Sequence, residues 1–246
     1  MRLTDKRAII TGGGRGIGES VSKLFAAEGA SILVADMAIE NAEKVAQEIV
    51  AGGGKATAVS VNVADKASVE AMVEACVSNF GGVDILINNA GVNRDALTMR
   101  MKEEQWDLVI DVNLKGTFLC SQAVIKPMKE AGGRIVNTSS IGSLGNIGQA
   151  NYSASKGGVI SLTRTLALEL ARFNINVNCV APGATMTPMF EGVPEEMRET
   201  FQKMIPLRRF ADPSEIAAAH LFFCSADSAY ITGQTLFVDG GISVGL

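Results

Sequence analysis

The sequence predicts an α/β domain whose parallel, doubly wound sheet is covered by helices on both faces. Three observations carry that expectation. Short β-rich runs alternate with longer segments of helical period, an order that needs crossover connections and therefore parallel strands. The strand runs are apolar nearly throughout, as in ILIN (85–88), IVNT (135–138) and VNCV (177–180), which suits a sheet buried on both faces. Glycine makes up 26 of 246 residues, and its first cluster stands between the opening strand and the opening helix. A tight turn and a close approach to the backbone are needed there.

Taken in order, residues 8–11 (AIIT) form the first strand and residues 16–28 a helix stopped at Gly29. A second strand covers 31–36 (SILVAD), and the next helix runs to about residue 51, before three glycines. The third strand covers 56–61. Asp65 then caps a helix that ends near Phe80, ahead of Gly81 and Gly82. Further strands fall at 83–88, 134–138, 175–181 and 235–238, which brings the sheet to seven. Long helical patterns cover 102–131 and 151–171. A late helix opens on Asp212-Pro213-Ser214-Glu215, which supplies an N-cap, a proline at N1 and a glutamate at N3. The segment 184–210 is the least patterned, carries Pro188, Pro194 and Pro206, and reads as a substrate flap. No linker interrupts the pattern, so residues 1–246 read as one domain.

Composition excludes several classes. Apolar residues at 47% and charged residues at 20% are ordinary for a globular chain. A net charge of −4 without a basic block argues against nucleic acid. No apolar run reaches the roughly 18 residues of a membrane span. The N-terminus, with Arg2, Lys6 and Arg7, lacks the apolar stretch of a signal peptide. Cys76, Cys120, Cys179 and Cys224 are scattered through apolar segments and read as reduced core residues of a cytoplasmic protein, not as metal ligands. No metal is expected.

The chemistry concentrates in a few places. The run TGGGRGIG (11–18) lies between strand and helix, where backbone N–H groups at the helix N-terminus can hold a pyrophosphate. Asp36 ends the second strand 18 residues after Gly18, close to the ~20 at which an acid meets an adenosine ribose. Tyr152 and Lys156 share a helix face, and an ammonium beside a phenol favours the phenolate and makes the tyrosine usable as an acid or base. Ser139 and Ser140 end a strand at the carboxyl edge of the sheet, where a hydroxyl can reach a substrate carbonyl.

With these motifs goes a series of others: Asn88-Asn89-Ala90-Gly91, Asn113 in DVNLKG, Ala181-Pro182-Gly183 and the closing ITGQ…VDGG. Over nearly its whole length the chain resembles the short-chain dehydrogenase/reductase family, and most of all its 3-oxoacyl-[acyl-carrier-protein] reductases, through NNAGVNRDALTMRM (88–101) and GNIGQANYSASKGG (145–158). The resemblance implies a single Rossmann-type domain and roles for particular residues. Tyr152 would pass the proton at the substrate oxygen. Lys156 would hold the nicotinamide ribose and tune Tyr152. A serine would bind the carbonyl, and Asn113 would anchor a water in a proton relay. Gly12, Arg15, Gly16, Ile17 and Gly18 would hold the pyrophosphate. Asn62 and Val63 would flank the adenine, and Asn89, Ala90 and Gly91 would lie along the cofactor. Pro182, Gly183, Thr185 and Thr187 would line the nicotinamide side.

Three positions depart from the family pattern. Spacing counted back from Tyr152 points to Ser139 as the catalytic serine, whereas the strand GGRIVNTSS points to Ser140, and strand register favours Ser140. Thr185 stands where an apolar residue is usual. Asp36 suits NAD where reductases of fatty-acid synthesis use NADPH, with Arg15 pulling weakly toward a 2′-phosphate.

The expectation is an NAD(H)-preferring oxidoreductase, NADP being the less favoured cofactor, that moves a hydride between nicotinamide and a ketone or secondary alcohol. A 3-oxoacyl thioester is the favoured substrate. The alternatives are a dehydrogenase of a small or cyclic alcohol, and a nucleotide-binding sensor without turnover. Relatives of this kind pair their long helices between subunits, so a homotetramer is expected. Lys126, Lys129, Arg134 and Arg172 are the candidate carrier-docking residues near the crevice. His220 and Trp106 read as packing residues. Met186, Met189, Met197 and Met204 would either face an apolar substrate or pack the flap shut.

Overall fold

The computed structural model describes residues 1–188 and 195–245. Seven parallel strands form one sheet in the order β3-β2-β1-β4-β5-β6-β7. They are β1 (Arg7–Thr11), β2 (Ser31–Asp36), β3 (Lys55–Ser60), β4 (Ile85–Asn88), β5 (Gly133–Thr138), β6 (Ile175–Pro182) and β7 (Thr235–Val238). The helices are α1 (Gly16–Ala27), α2 (Ile39–Ala51), α3 (Lys66–Phe80), α4 (Glu103–Ile110), α5 (Gly116–Met128), α6 (Ala150–Leu170), α7 (Glu195–Met204) and α8 (Pro213–Cys224).

Side chains alternate along each strand, so neighbours serve opposite cores. Ile10, Ile32 and Val34 pack with Val21 and Phe25 of α1 and Leu221 of α8. Ile9, Leu33 and Leu86 pack on the other face with Met72 of α3 and Val124 of α5. These side chains are fully buried, and each burial stabilises by roughly 1.5–3 kcal/mol. The helix ends follow their local signals. The Asp65 side chain accepts the Ala67 N–H at 2.9 Å, and Gly81 closes α3 in the left-handed region at φ 84°. At α8, Asp212 accepts Ser214 N–H at 2.8 Å while Glu215 accepts Asp212 N–H at 2.9 Å, the reciprocal cap that the sequence announces.

Four details differ from the sequence reading. The strand expected at 83–88 begins only at Ile85, because the Asp84 side chain turns to the Arg7 guanidinium at 2.6 Å and the Arg7 N–H at 2.9 Å. The pattern at 102–131 is not one uniform helix, since a π turn at Asp111–Lys115 separates α4 from α5. The segment 184–210 contains the ten-residue α7, whose polar composition hid a helix started after Pro194. Finally, the run Glu103–Met128 is long and apolar enough to cross a membrane by length and composition. In this fold it comprises α4, the π turn and α5, with Cys120, Val124 and Met128 of α5 buried against the sheet.

The four cysteines are buried free thiols. Burial pushes Cys76 and Cys120 up to about 12 and Cys179 to about 11, which leaves them packed and unreactive.

Candidate active site

The strand order reverses between β1 and β4, which leave the sheet in opposite connections and open a crevice at their carboxyl ends. Thr11 ends β1 and holds the far wall in place. Its hydroxyl oxygen accepts the N–H groups of Asn89 at 3.1 Å and Ala90 at 3.2 Å, while the Asn89 side chain donates to the Gly12 carbonyl at 3.1 Å. The glycines between are required by this closeness. Gly12 has φ +61°, and a Cβ there would stand 2.9 Å from Ala90 Cα. A Cβ on Gly18 would overlap the Gly12 carbonyl oxygen. Arg15, the N-cap of α1, is extended and offers no side-chain cap, so the first N–H groups of the helix face the crevice with their positive end. This cradle fits the pyrophosphate of a dinucleotide.

Asp36 lies at the end of β2 beside the glycine turn. One carboxylate oxygen accepts the Gly14 N–H at 3.0 Å and the other the Ala38 N–H at 3.1 Å. Each oxygen keeps a lone pair for a further donor, such as a ribose hydroxyl. Arg15 is exposed and forms no ion pair among the described residues. Asn62 is exposed and shaped by its own Asx turn to Ala64 N–H at 3.1 Å. Val63 is buried against Gly116.

β5 and α6 bring the reacting groups together. Ser139 is buried, and its hydroxyl donates to the Lys156 carbonyl at 2.8 Å, so it ties strand to helix. Ser140 points the other way. It accepts the Gly142 N–H at 3.0 Å and lies beside the Tyr152 phenol, where it favours the ionised form. Burial pushes Tyr152 above the ordinary range of a phenol, and the Asp95 carboxylate adds to the rise. Lys156 is nearly inaccessible. Its Nζ donates to the Thr138 carbonyl at 2.8 Å and lies 5.7 Å from the Tyr152 ring centroid, and burial lowers it to about 8.

The expected depression of the phenol by the ammonium is therefore not what the geometry gives. Desolvation drives both groups toward their neutral forms, and Ser140 is the neighbour that opposes it.

Asn113 sits in the middle of the π turn, fully buried. Its Oδ1 accepts the Val92 N–H at 2.8 Å, and its Nδ2 donates to the Val92 carbonyl at 3.0 Å and to Ser155 Oγ at 3.1 Å. The wider turn aims this side chain across the crevice, a use to which single π turns are often put. Ser155 in turn donates to the Tyr152 carbonyl at 2.7 Å. Sequence reasoning passed over Thr11 and Ser155 as positioning groups, because a hydroxyl inside a motif gives no sign of which backbone atoms it will meet.

On the other wall, Gly183 packs on Asp239, and its N–H donates to Val238 at 2.9 Å. Thr185 is buried, its hydroxyl donating to the Gly183 carbonyl at 3.0 Å, which satisfies the polar group that replaces an apolar one. Thr187 approaches the glycine turn, 3.3 Å from a Cβ built on Gly16. Met186 and Met204 are exposed. Met189 lies outside the described residues, as does the Met197 side chain.

His220 is buried on α8, with Nε2 3.4 Å from the Thr138 hydroxyl, and burial lowers it to about 3. Trp106 is 40% exposed and so is not the core residue its helical spacing suggested. The proposed docking residues are also misplaced. Arg134 is the second residue of β5 and donates to Asn176 Oδ1 at 3.0 Å, Lys126 and Lys129 lie at the end of α5, and Arg172 lies in the turn after α6. In a parallel sheet these positions lie at the amino edge, opposite the crevice.

Fold and site together define an oxidoreductase of alcohols and ketones that uses a nicotinamide dinucleotide. The family model described as "Enoyl-(Acyl carrier protein) reductase" matches residues 12–243. The 3-oxoacyl-[acyl-carrier-protein] reductase FabG of Thermotoga maritima is 48% identical over 246 residues, 99% of this chain and all of that protein. Those of Staphylococcus aureus and Vibrio cholerae are 46% and 43% identical, each covering 98% of this chain and 99% of the relative. A solved levodione reductase superimposes with a TM-score of 0.96 at 36% identity, covering both chains fully. The chain belongs to the short-chain dehydrogenase/reductase family and is most similar to its 3-oxoacyl-[acyl-carrier-protein] reductases.

Proposed function

We propose that the chain interconverts a 3-oxoacyl thioester or similar ketone and its alcohol, with NAD(H) as the preferred cofactor. The observation that carries the reading is the set of Ser140, Tyr152 and Lys156 at the carboxyl edge, across the crevice from an uncapped helix N-terminus.

When bound, the nicotinamide supplies or accepts the hydride at the carbonyl carbon. The chain's own residues bind, orient and move the proton. Gly12, Arg15, Gly16, Ile17 and Gly18 hold the pyrophosphate, Asp36 the ribose diol, and Asn62 and Val63 the adenine. Asn89, Ala90 and Gly91 lie along the cofactor, and Lys156 and Tyr152 hold the second ribose. Pro182, Gly183, Thr185 and Thr187 line the nicotinamide side, with the described residues of the flap, 184–188 and 195–210, on the substrate side; residues 189–194 of it lie outside the described residues. Ser140 donates to the substrate oxygen. Tyr152 gives that oxygen its proton in reduction and takes it back in oxidation. The Asn113 side chain is already engaged with Val92 and Ser155, and its main-chain carbonyl accepts the Thr117 hydroxyl at 2.7 Å, so a relay water would take that oxygen's second lone pair.

Asp36 supports NAD, since its carboxylate is fixed by two backbone N–H groups where a 2′-phosphate would stand. The same residue, with the likeness to a levodione reductase, favours the second reading, a dehydrogenase of a small alcohol. Four buried free thiols suit a cytoplasmic enzyme. Exposed apolar side chains support a homotetramer, among them Phe118, Leu168, Tyr230 and Val244.

Absorbance assays with NADH and NADPH on acetoacetyl thioesters and a panel of small ketones test this. NADH-linked reduction of the thioester is expected. Brisk NAD-linked oxidation of a small secondary or cyclic alcohol, without thioester activity, would make the second reading the better one.

A further inference from the structure

The loop after β4 is fastened to the start of α6 by a set of contacts that the proposed mechanism does not use. Ala96 pairs with Gln149, and its N–H donates to the Gly148 carbonyl at 2.8 Å. Asn151 Nδ2 donates to the Arg94 carbonyl at 3.0 Å. Between these two points lies Asp95, whose Oδ2 accepts from Gln149 Nε2 at 2.9 Å. Gln149 is the N-cap of α6 and stands one turn before Tyr152. The Asp95 carboxylate, itself exposed, is thus held by Gln149 beside the first turn of α6, which carries Tyr152, and its negative charge favours the neutral phenol.

Solvent screens that charge in part, since Asp95 is exposed, and its own loop carries the cations Arg94, Arg100 and Lys102. The segment 139–151 has no ionisable side chain, nor do residues 184–188. The Arg94 guanidinium folds back onto the Asn93 carbonyl at 2.7 Å, and the Lys156 ammonium is turned to Thr138. Gln149 cannot neutralise Asp95, because an amide donor carries no net charge. Its second contact, from Asn146 at 3.0 Å to its Oε1, keeps the amide oriented with the nitrogen toward Asp95.

We infer that Asp95 is a specificity-determining residue. Fixed by Gln149 beside Tyr152, it disfavours substrates with an anionic group next to the reacting carbonyl, such as free oxo acids, and admits neutral ketones, esters and thioesters. The inference rests on the reading of Tyr152 as the proton-passing group and names the substrate class for that site. A second carboxylate brought within several ångströms of Asp95 meets like-charge repulsion, which for an exposed group in a water-like dielectric amounts to about a two- to fivefold loss in affinity. A neutral ester of the same carbon skeleton meets none.

The test compares acetoacetate with ethyl acetoacetate, both reduced with NADH, in the native enzyme and in Asp95→Asn. The asparagine keeps an oxygen that can accept from Gln149 while removing the charge. The quantity read is the ratio of kcat/KM for acid over ester, which cancels any change in Tyr152 common to both substrates. The ratio is expected to rise about two- to fivefold in the variant, through KM for the acid, and the difference between the two enzymes should shrink as salt rises. A second variant, Asp95→Lys, should raise the ratio further. An unchanged ratio in both variants would overturn the inference. Tyr152→Phe separates the two levels. If it is inactive while the ratio is unchanged, only the role of Asp95 falls, whereas native turnover in Tyr152→Phe removes the site reading itself.

Discussion

Ser139 and Ser140, consecutive at the end of β5, face opposite sides of the chain: Ser139 Oγ donates to the Lys156 carbonyl at 2.8 Å, and Ser140 Oγ turns to Gly142 and Tyr152. Their substitution by alanine should therefore separate. Ser140→Ala is expected to lower kcat by about 10² or more, with the denaturation midpoint little changed. Ser139→Ala removes a buried hydrogen bond and should cost about 0.5–1.5 kcal/mol of stability, with a smaller kinetic effect. Kinetics and urea denaturation on both variants would show the reverse pattern if Ser139 were the carbonyl-binding residue.

Tyr152→Phe removes the group proposed to pass a proton to the substrate, and a loss of 10²–10⁴ in kcat is expected. Lys156→Ala should lower kcat and also weaken cofactor binding, because Nζ is the cation at the crevice floor. Titrating the variants with NADH by fluorescence distinguishes the two effects. Native turnover by correctly folded Tyr152→Phe would contradict the mechanism.

Asp36 should set the cofactor preference. A carboxylate facing a 2′-phosphate suffers like-charge repulsion, and a preference of ~10–100-fold for NAD(H) corresponds to about 1.4–2.8 kcal/mol. Because Asp36 also accepts Gly14 N–H, Asp36→Ala would loosen the glycine turn as well as remove the charge. Asp36→Asn keeps an acceptor and isolates the charge, so it should shift kcat/KM toward NADP(H). Comparable efficiency with both cofactors in the native enzyme would transfer the role to Arg15.

His220 should make stability depend on pH. Its native value lies near 3, against 6.5 in an unfolded chain. Between those values the unfolded state binds a proton that the native state refuses, so stability falls as pH drops from 6.5 toward 3, by about 1.4 kcal/mol per unit. Above pH 6.5 the contribution is constant. Urea midpoints at pH 7.0, 5.5 and 4.5 should therefore spread more for the native enzyme than for His220→Gln. Parallel curves for the two proteins would mean that other groups account for the acid lability.

Light scattering at micromolar concentration should report a homotetramer. Phe118 on α5 and Leu168 on α6 are 42% and 83% exposed, and a glutamate at either position should reduce the assembly by burying a charge in an apolar contact. A monomeric native protein would count against the assembly.

The glycine turn, the carboxylate at the end of β2 and the Tyr152–Lys156 spacing were all legible in one dimension. Each is a local pattern, since a turn needs glycine where φ is positive and a shared helix face needs a separation of four. The five central strands were legible for the same reason, as runs buried on both faces are apolar nearly throughout, whereas the edge strands β3 and β7 are only partly buried. What the chain alone did not reveal depends on partners distant in sequence. Strand register already favoured Ser140, but that Ser139 is engaged by the Lys156 carbonyl follows from how α6 packs, and the place of Asp95 follows from Gln149, 54 residues away. The balance of charge on Tyr152 and Lys156 is likewise tertiary, because burial, which no spacing encodes, decides both. Arg134 and Arg172 could be seen as basic in the sequence. That they lie at the amino edge, away from the crevice, follows only from the direction in which parallel strands and their helices run.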